Sequence, residues 1–382
     1  MALRPWLLVA GDFSPLGGMD IANYELARHL AVRGEVHLVT HRAWPDLSRL
    51  PSITVHRARR PFGSHALGSP WLSREGRRVW RALAPRRAHA IVNGGNCAVG
   101  AVTWVHYVHA AYAPTSAGSA VRRMKVASLH RRDVAAERRV IRAARLVICN
   151  SHRTRADVVE RIGADPSRVQ VVYYGSDEVR FSAVDTEQRA AAKRALGCDP
   201  DRPLVGFVGA LGDRRKAFDV VFAAWMDLCR RTDWDADLVV AGAGSELAQW
   251  RARAESAGIA ARVRLVGFRA NMPDVFAALD ALVHPARYEA YGLSVHEAIC
   301  RGVPAFVSRS AGVAERYPAD LDNLLIDDPN DAAALAAQLL QWRGRVDEIR
   351  GRVAPLSRTL RGRSWDTMAA EIVALVERAG DL

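Results

Sequence analysis

Short apolar segments alternate with helix-length segments along almost the whole chain, and they do so in two successive runs. The first run predicts strands at 6–10, 36–40, 53–56, 90–92, 102–106, 146–149 and 169–173. The second predicts strands at 204–208, 238–241, 263–266, 281–284 and 305–308. Strands that alternate with helices form parallel, doubly wound sheets. The pattern therefore predicts an α/β protein with two Rossmann-like domains.

The pattern pauses at residues 177–187, which gives the predicted domain boundary. A chain of 382 residues also exceeds the usual size of one core. We predict an N-terminal domain over 1–180 and a C-terminal domain over 181–363. An amphipathic helix at about 364–382 is expected to complete the first domain, and its apolar residues at helical spacing are Trp365, Met368, Ile372, Leu375 and Val376. Ligands of such sheets bind at the carboxyl ends of the strands, here facing an interdomain cleft.

The charge is distributed unevenly. Residues 1–180 hold 28 Lys and Arg against 13 Asp and Glu, whereas residues 181–382 hold 26 against 28. A basic N-terminal half favours anionic partners such as acidic lipids, lipid pyrophosphates or nucleic acid. A nucleic-acid partner is not expected, because no reading motif or base-stacking platform is recognisable.

Two Arg-rich segments, 71–87 and 121–145, have interleaved apolar residues. Each is either an ordinary solvated helix packed on its own sheet or a helix that lies on an anionic membrane surface. No apolar run approaches the ~20 residues of a membrane-spanning helix, and the five cysteines are scattered. We therefore predict a cytoplasmic protein, with peripheral attachment to the inner membrane face as the open alternative.

The most informative stretch runs from residue 284 to 315. It places Glu289 and Glu297 eight positions apart, with Gly292 between them. Eight residues of unbroken helix rise about 12 Å, too far for both carboxylates to act on one atom. If a turn at Gly292 opens the helix, Glu289 precedes it and Glu297 lies within it. The two carboxylates could then grip two ends of an extended ligand while the first helical turn faces a phosphate.

These residues resemble the signature of the retaining family 4 glycosyltransferases of the GT-B fold. The matching positions in this segment are Pro285, Glu289, Gly292, Glu297, Ala298, Gly302, Pro304, Ser308, Gly312 and Glu315. Further matches occur in order along nearly the whole chain, at 17–18, 150–151, 174–177, 209–219, 242–244, 267–268 and 364–365. The resemblance implies a metal-independent hexosyltransferase that needs no cofactor, with a UDP-, GDP- or ADP-sugar as donor. The expected acceptor is a glycan, a glycolipid or another small molecule.

The resemblance also implies roles for individual residues. Glu289 would lie beside the transferred sugar and Glu297 would accept hydrogen bonds from the ribose hydroxyls. Lys216 would bind the donor pyrophosphate, where a fixed ammonium stabilises the charge that develops on the leaving group. The remaining donor-binding positions act through backbone: Gly17 and Gly18 beside the phosphates, Phe268 and Arg269 at the base, and Tyr291, Gly292 and Leu293 at the helix start.

One position departs from the family pattern. The family usually has an arginine directly after the glycine at 209, and this chain has Ala210. Arg214 and Arg215 lie in the same loop, and either is a candidate replacement.

Two histidines follow the strand predicted at 102–106. In the family, a histidine of this region contacts the donor sugar and the acceptor. His106 is the first candidate because it lies nearest the strand end, and His109 is the alternative.

Three other readings bear on the predicted reaction. A nucleotide-sugar epimerase or hydrolase on the same scaffold is the alternative activity, because fold does not fix reaction. The aspartates in the stretch 233–237 imitate a metal-binding motif, but they precede a strand instead of following one, so no metal site is predicted. The stretch Gly242-Ala243-Gly244 lacks the third glycine of a dinucleotide fingerprint.

Overall fold

The computed structural model describes residues 4–114 and 119–380. The chain divides into two compact units: unit 1 comprises residues 1–175 and 364–382, and unit 2 comprises 176–363. The predicted boundaries were 180/181 and about 364. Each unit contains a parallel sheet with helices between successive strands, so the predicted fold class is confirmed.

Unit 1 contains nine strands and, before the crossover into unit 2, four helices in its described part. In chain order they are β1 Trp6–Val9, β2 Asp12–Phe13, α1 Gly18–Ala31, β3 Val36–Thr40, β4 Arg42–Ala43, β5 Ile53–Arg57, α2 His65–Leu83, β6 His89–Asn93, β7 Val102–Val105, α3 Ala120–Ala143, β8 Leu146–Cys149, α4 His152–Asp157 and β9 Val169–Val171. The main sheet has the order β5-β3-β1-β6-β7-β8-β9, with every pair parallel. Strands β2 and β4 form a separate two-stranded parallel sheet that the sequence pattern did not predict.

Unit 2 repeats the alternation on a smaller sheet. Its elements are α5 Thr186–Ala195, β10 Leu204–Val208, α6 Phe218–Cys229, β11 Asp237–Ala241, α7 Leu247–Ser256, β12 Val263–Gly267, α8 Met272–Ala278, β13 Ala281–His284, α9 Leu293–Cys300, β14 Ala305–Ser308, β15 Leu325–Ile326, α10 Ala332–Arg343 and α11 Val346–Arg361. The sheet order is β12-β11-β10-β13-β14-β15, again parallel throughout.

The central strands are apolar along their length because helices cover both faces of a parallel sheet. In unit 1, Leu7 and Val9 of β1 pack in one core with Leu72, Val79 and Leu83 of α2. The three α2 residues, which belong to the Arg-rich segment 71–87, are therefore buried in the core of unit 1.

The last helix, α12 (Trp365–Gly380), packs against α1 in unit 1. Trp365, Met368 and Ile372 are buried in this contact. The chain returns to unit 1 beside Gly175, where an added Cβ would lie 2.4 Å from the Ser364 carbonyl oxygen. Only glycine fits this close backbone approach. Across the two described ranges, each helix falls short of the length and apolarity required to cross a membrane.

Candidate functional site

In unit 2, Glu289 lies in the loop between β13 and α9. Its Oε2 atom is 2.5 Å from Lys216 Nζ and 3.0 Å from His284 Nε2. Lys216 closes the short helical turn Arg214–Lys216 after β10, and His284 is the last residue of β13. Strands β10 and β13 are neighbours, so their carboxyl ends bring the three side chains together. Both the lysine and the glutamate were predicted from the sequence, whereas the histidine was not.

The carboxylate of Glu289 is held ionised. Although burial opposes ionisation, the Lys216 ammonium and the hydrogen bond from His284 hold the pKa of Glu289 below its ordinary value. Burial lowers the pKa of His284, which is fully buried. A neutral imidazole that faces a carboxylate must donate through Nε2. Lys216 and His284 thus fix the position and the charge of Glu289.

Gly292 precedes helix α9 and makes the turn that the sequence predicted. Its φ of 107° lies in the left-handed region, and an added Cβ would lie 3.0 Å from Val313 Cγ1. The backbone amides of Gly312 and Val313 donate to the carbonyl oxygens of Glu289 and Tyr291, which anchors the loop. The turn at Gly292 therefore positions Glu289 outside the helix and Glu297 inside it.

The other candidate residues around this turn are Tyr291, Leu293 and Glu297, and each has different contacts. The Tyr291 hydroxyl lies 2.8 Å from Nδ1 of His296, and Leu293 is buried as the first residue of α9. Glu297 is half-buried, and desolvation raises its pKa to about 8, while Arg180 partly opposes the shift. Near neutral pH this carboxyl group can therefore donate or accept a hydrogen bond.

The two arginines of the 214–216 turn have different surroundings. Arg214 lies 3.4 Å from Asp219 and 3.9 Å from Glu246. Arg215 pairs with Asp213 at 2.9 Å, and its charge also lowers the pKa of Glu289. Arg215 is thus electrostatically coupled to the glutamate, whereas Arg214 lies beside Asp219 and Glu246.

A further arginine, Arg287, was not identified from the sequence. Its guanidinium bonds both carboxylate oxygens of Asp219, at 2.8 and 3.0 Å, and the carbonyl oxygen of Arg214 at 2.6 Å. Its backbone amide donates to the Arg215 carbonyl oxygen. Arg287 therefore fastens the loop that carries Glu289 to the turn that carries Lys216. A single arginine two positions before Glu289 carries no sequence signal of this role.

At the end of β12, Phe268 is two-thirds exposed and Arg269 is also exposed. Both residues follow the carboxyl end of the strand, where the sequence reading expected the base of the donor. The aspartates of the 233–237 stretch each pair with arginines: Asp233 with Arg231, and Asp235 with Arg343.

In unit 1, the glycine turn leads directly into α1. Gly17 has a φ of 90° and Gly18 is the first residue of the helix. Asp20, in the first helical turn, is desolvated, and this raises its pKa to about 6.

His106 follows β7 and is 7% exposed. Its Nδ1 atom lies 2.5 Å from the Tyr174 hydroxyl, and the Asn150 amide donates to that same hydroxyl at 3.0 Å. Burial lowers the pKa of His106 to about 3, so the ring is neutral. Sequence reading identified the histidine but missed its two partners.

The alternative histidine, His109, begins the short helical turn His109–Ala111. Its backbone amide and that of Ala110 donate to the carboxyl group of Glu137 on α3, at 2.9 and 3.2 Å. Glu137 is 1% exposed, and desolvation raises its pKa to about 7. It shares the buried face of α3 with Val140 and Ile141, which is the one pattern that could have identified it.

Comparison with known proteins identifies the same two halves. The model described as "Glycosyltransferase Family 4" matches residues 16–180, and "Glycosyl transferases group 1" matches residues 188–343. The chain is 29% identical over 358 residues to 2-deoxystreptamine N-acetyl-D-glucosaminyltransferase of Streptomyces fradiae, a match that covers 85% of this chain and 82% of that protein. Several other curated relatives are matched over only about half of their own length.

Solved structures are similar over the whole chain. Sucrose-phosphate synthase from Thermosynechococcus elongatus aligns with a TM-score of 0.77 at 18% identity, over 98% of this chain and 99% of that one. Anabaena HepE in complex with UDP-glucose aligns with a TM-score of 0.70 at 16% identity, over 100% of both chains. At these identities the likeness shows the fold, which is the expected GT-B fold.

Proposed function

We propose a specific activity from one premise: this chain belongs to the family 4 glycosyltransferases, with the GT-B fold. The proposed reaction transfers a sugar from a nucleotide-sugar donor to a glycan, lipid-linked or small-molecule acceptor, with retention at the anomeric carbon. The observation that carries it is the cluster of Lys216, Glu289 and His284 at neighbouring strand ends in unit 2.

The cluster suits a sugar linked to a diphosphate. An ammonium group and helix N-terminal amides favour the negative charge that develops on a leaving nucleoside diphosphate. Within the described part of the chain, the hydrogen bonds to the Glu289 side chain from Lys216 and His284 both use Oε2, which leaves Oε1 for a sugar hydroxyl. Glu297, eight residues further along the chain, is the proposed partner of the ribose hydroxyls. Arg215 is the proposed substitute for the arginine absent at Ala210. Gly17 and Gly18 are proposed to approach the phosphates through backbone.

The donor class is tested by a thermal-shift panel of UDP-, GDP- and ADP-sugars. We expect UDP-sugars to stabilise the protein first, because the structurally similar HepE is a UDP-glucose complex. Loss of the shift in a Lys216→Met variant would assign the binding to the cluster. No shift with any member of the panel would contradict the proposal.

For the reaction step we propose same-face attack. The acceptor hydroxyl oxygen bonds to the anomeric carbon as the bond to the phosphate oxygen breaks, and that phosphate oxygen takes the acceptor proton. Retention then needs no covalent glycosyl-enzyme. NMR of the first-formed product reports the anomeric configuration, and isolation of a glycosyl-Glu289 adduct would overturn the same-face route.

Catalysis is proposed to be independent of metal, since positive side chains supply the charge at the diphosphate. We expect initial rates to persist in excess EDTA. A rate that is lost in EDTA and restored by Mg²⁺ or Mn²⁺ would contradict this part of the proposal.

The competing activity on this scaffold is epimerisation or hydrolysis of the nucleotide sugar. The two are separated by the rate of nucleoside diphosphate release. A transferase releases it faster when acceptor is added, whereas an epimerase releases none and a hydrolase is indifferent to the acceptor. A panel of aminocyclitol, inositol phosphate and glycan acceptors provides the test.

We also propose that the amino-terminal end of α3 attaches to an anionic membrane. Val121 and Met124 are exposed there, among the exposed cations Arg122, Arg123 and Lys125. Exposed apolar side chains flanked by arginine and lysine suit a lipid surface of negative charge.

Liposomes with and without acidic lipid test this attachment. Wild-type protein should sediment with the acidic vesicles and dissociate at high salt. A Val121→Ser, Met124→Ser variant should bind less, while Val32→Ser, which changes an equally exposed valine elsewhere, should not. Equal sedimentation of all three proteins would exclude the proposed surface.

A further inference from the structure

We propose that Tyr174 and Asn150 hold His106 as a neutral imidazole whose hydrogen is on Nε2, so that the ring donates to a substrate oxygen and cannot act there as a base. Tyr174 and Asn150 are therefore positioning residues. The inference rests on the proposed function only for the identity of that oxygen, which we take to be a hydroxyl of the sugar substrates.

The topology brings the three residues together. Strands β7, β8 and β9 are neighbours in the sheet of unit 1. His106 follows the end of β7, Asn150 follows the end of β8, and Tyr174 lies in the segment after β9. All three are at most 7% exposed. The network is thus built at one edge of the sheet, where ligands of parallel α/β sheets bind.

The direction of the two Asn150 hydrogen bonds is determined by an acceptor that cannot donate. Asn150 Nδ2 lies 3.2 Å from the backbone carbonyl oxygen of His106, so this side of the amide must be the NH2 group. The same nitrogen also lies 3.0 Å from the Tyr174 hydroxyl, which therefore accepts. If the amide were flipped, Asn150 Oδ1 would face the carbonyl oxygen of His106, and neither oxygen can donate.

The other end of the amide supports this orientation. Asn150 Oδ1 accepts from the hydroxyl of Thr154 at 2.7 Å. Thr154 in turn lies 3.0 Å from the Ser151 hydroxyl, and Ser151 is the N-cap of α4. The Asn150 amide is therefore oriented by hydrogen bonds to residues at the start of α4, independently of its contacts with His106 and Tyr174.

The last step assigns the imidazole hydrogen. The Tyr174 oxygen already accepts from Asn150, and we assign its own hydrogen to the contact with Nδ1 of His106, at 2.5 Å. A ring nitrogen that accepts carries no hydrogen, so in the neutral ring the hydrogen is on Nε2. The indole of Trp104, with its ring centre 4.2 Å from that of His106, adds to the apolar surroundings that keep the ring neutral.

Nε2 of His106 has no hydrogen-bond partner within residues 4–114 and 119–380, although the atom is buried. A buried donor without a partner destabilises the folded protein, so its retention points to a ligand. The complementary group is a neutral hydroxyl oxygen. A phosphate is a poorer match, because the imidazole carries no charge.

Histidine-selective ¹⁵N NMR tests the assignment without any enzyme assay. The signal of His106 is identified by its loss in His106→Gln, and it should show hydrogen on Nε2, unchanged from pH 5.5 to 8. In Tyr174→Phe the phenyl ring keeps the packing but the Nδ1 partner is gone, and the ring should become a mixture of tautomers. A wild-type ring with hydrogen on Nδ1, or an unchanged signal in Tyr174→Phe, would overturn the proposal.

Kinetics supply the second readout. We expect Tyr174→Phe to lower kcat about tenfold with the donor KM within about twofold, which corresponds to one misplaced hydrogen bond in the transition state. Thr154→Val should act in the same direction and more weakly. Tyr24→Phe is the matched control, since it also removes a phenol hydrogen bond in unit 1, that to Asp46, but touches no imidazole. A Tyr174→Phe enzyme with the kcat of the control would contradict the positioning role even if the chain is a transferase.

Discussion

His284 in unit 2 and His106 in unit 1 are both buried imidazoles at the carboxyl end of a central strand, but they use opposite ring nitrogens. His284 bonds Glu289 through Nε2, whereas His106 bonds Tyr174 through Nδ1. The first is part of a charged cluster with Lys216, and the second belongs to a network of neutral groups. On the proposed function, the difference predicts a division of tasks, with the charged cluster of unit 2 facing the diphosphate and the neutral donor of unit 1 facing a sugar.

The largest test of this comparison is Glu289→Gln. Glutamine keeps the shape and can still accept from Lys216 and His284 through its carbonyl oxygen. It removes the charge that balances Lys216 and presents an NH2 group at the position of Oε1, which is proposed to accept from a sugar hydroxyl. We expect kcat to fall roughly a hundred- to thousandfold, measured as nucleoside diphosphate release with donor and acceptor saturating. Asp235→Asn, which changes a carboxylate paired with Arg343, is the control. Retention of wild-type kcat would show that the charged cluster has no role in turnover.

The second test concerns the raised pKa of Glu297. A carboxyl group with a folded pKa of about 8 against an ordinary 4.5 binds its proton more tightly in the folded protein. Its contribution to stability is therefore complete below pH 4.5 and is lost as the pH rises through 8. Between pH 6 and pH 9 we expect the free energy of unfolding of the wild-type protein to fall by about 2 kcal/mol relative to that of Glu297→Gln.

Thermal unfolding without ligand measures this difference, as a shift of several degrees in Tm between the two proteins. His106→Gln provides the comparison from unit 1. The folded pKa of His106, about 3, lies below the ordinary 6.5, so near pH 6 the unfolded chain binds more protons than the folded one. Wild type should therefore gain about 1 kcal/mol of unfolding free energy relative to His106→Gln between pH 6 and 9, opposite in sign to the Glu297 effect. Parallel pH profiles for wild type and Glu297→Gln would mean that Glu297 is solvated and ionised in the free enzyme.

A smaller effect separates the two arginines of the 214–216 turn. Arg215 is coupled to Glu289, while Arg214 pairs with Asp219 and Glu246. We expect Arg215→Ala to raise the donor KM about tenfold, the value of one charge-assisted hydrogen bond. Arg214→Ala should change it by less than about threefold. If the Arg214, Arg215 double alanine variant kept donor affinity, neither would replace the arginine absent at Ala210.

The sequence could predict the fold because its signal is distributed over many residues. Each central strand reads as a short apolar run, and β3, β8, β10, β13 and β14 have the predicted bounds. The two-residue strands β2, β4 and β15 were missed, because two residues carry no period and their pairing depends on tertiary contacts. The glycine turn at 292 was predictable for a local reason, since a left-handed φ there favours glycine.

Glu289, Glu297 and Lys216 were named because the family resemblance calls for one residue type at each of these positions, and their roles stay predictions. The side chains that contact the predicted residues carry no such signal. His284 is the last residue of a buried strand, Arg287 is one of 51 arginines, and Tyr174, the partner of His106, is distant from it in the chain. Their roles follow from which strand ends are neighbours, and a single sequence does not show that.

The smallest expected effect is that of ionic strength, and it tests the whole comparison at once. Raising the salt concentration from about 0.05 to 0.5 M shortens the screening length from over 10 Å to about 4 Å. Donor binding that depends on Lys216 and Arg215 should weaken two- to threefold, roughly, because these groups are partly exposed. The ratio of kcat between wild type and Tyr174→Phe should stay constant over the same range, because the His106 network carries no net charge and is buried. The measurement is a steady-state titration of the donor with wild type and with Tyr174→Phe at each KCl concentration. Repeating the series in potassium acetate excludes a specific effect of chloride. A kcat ratio that varies with salt, or a donor KM that does not, would mean that charge is not divided between the two units as the side chains indicate.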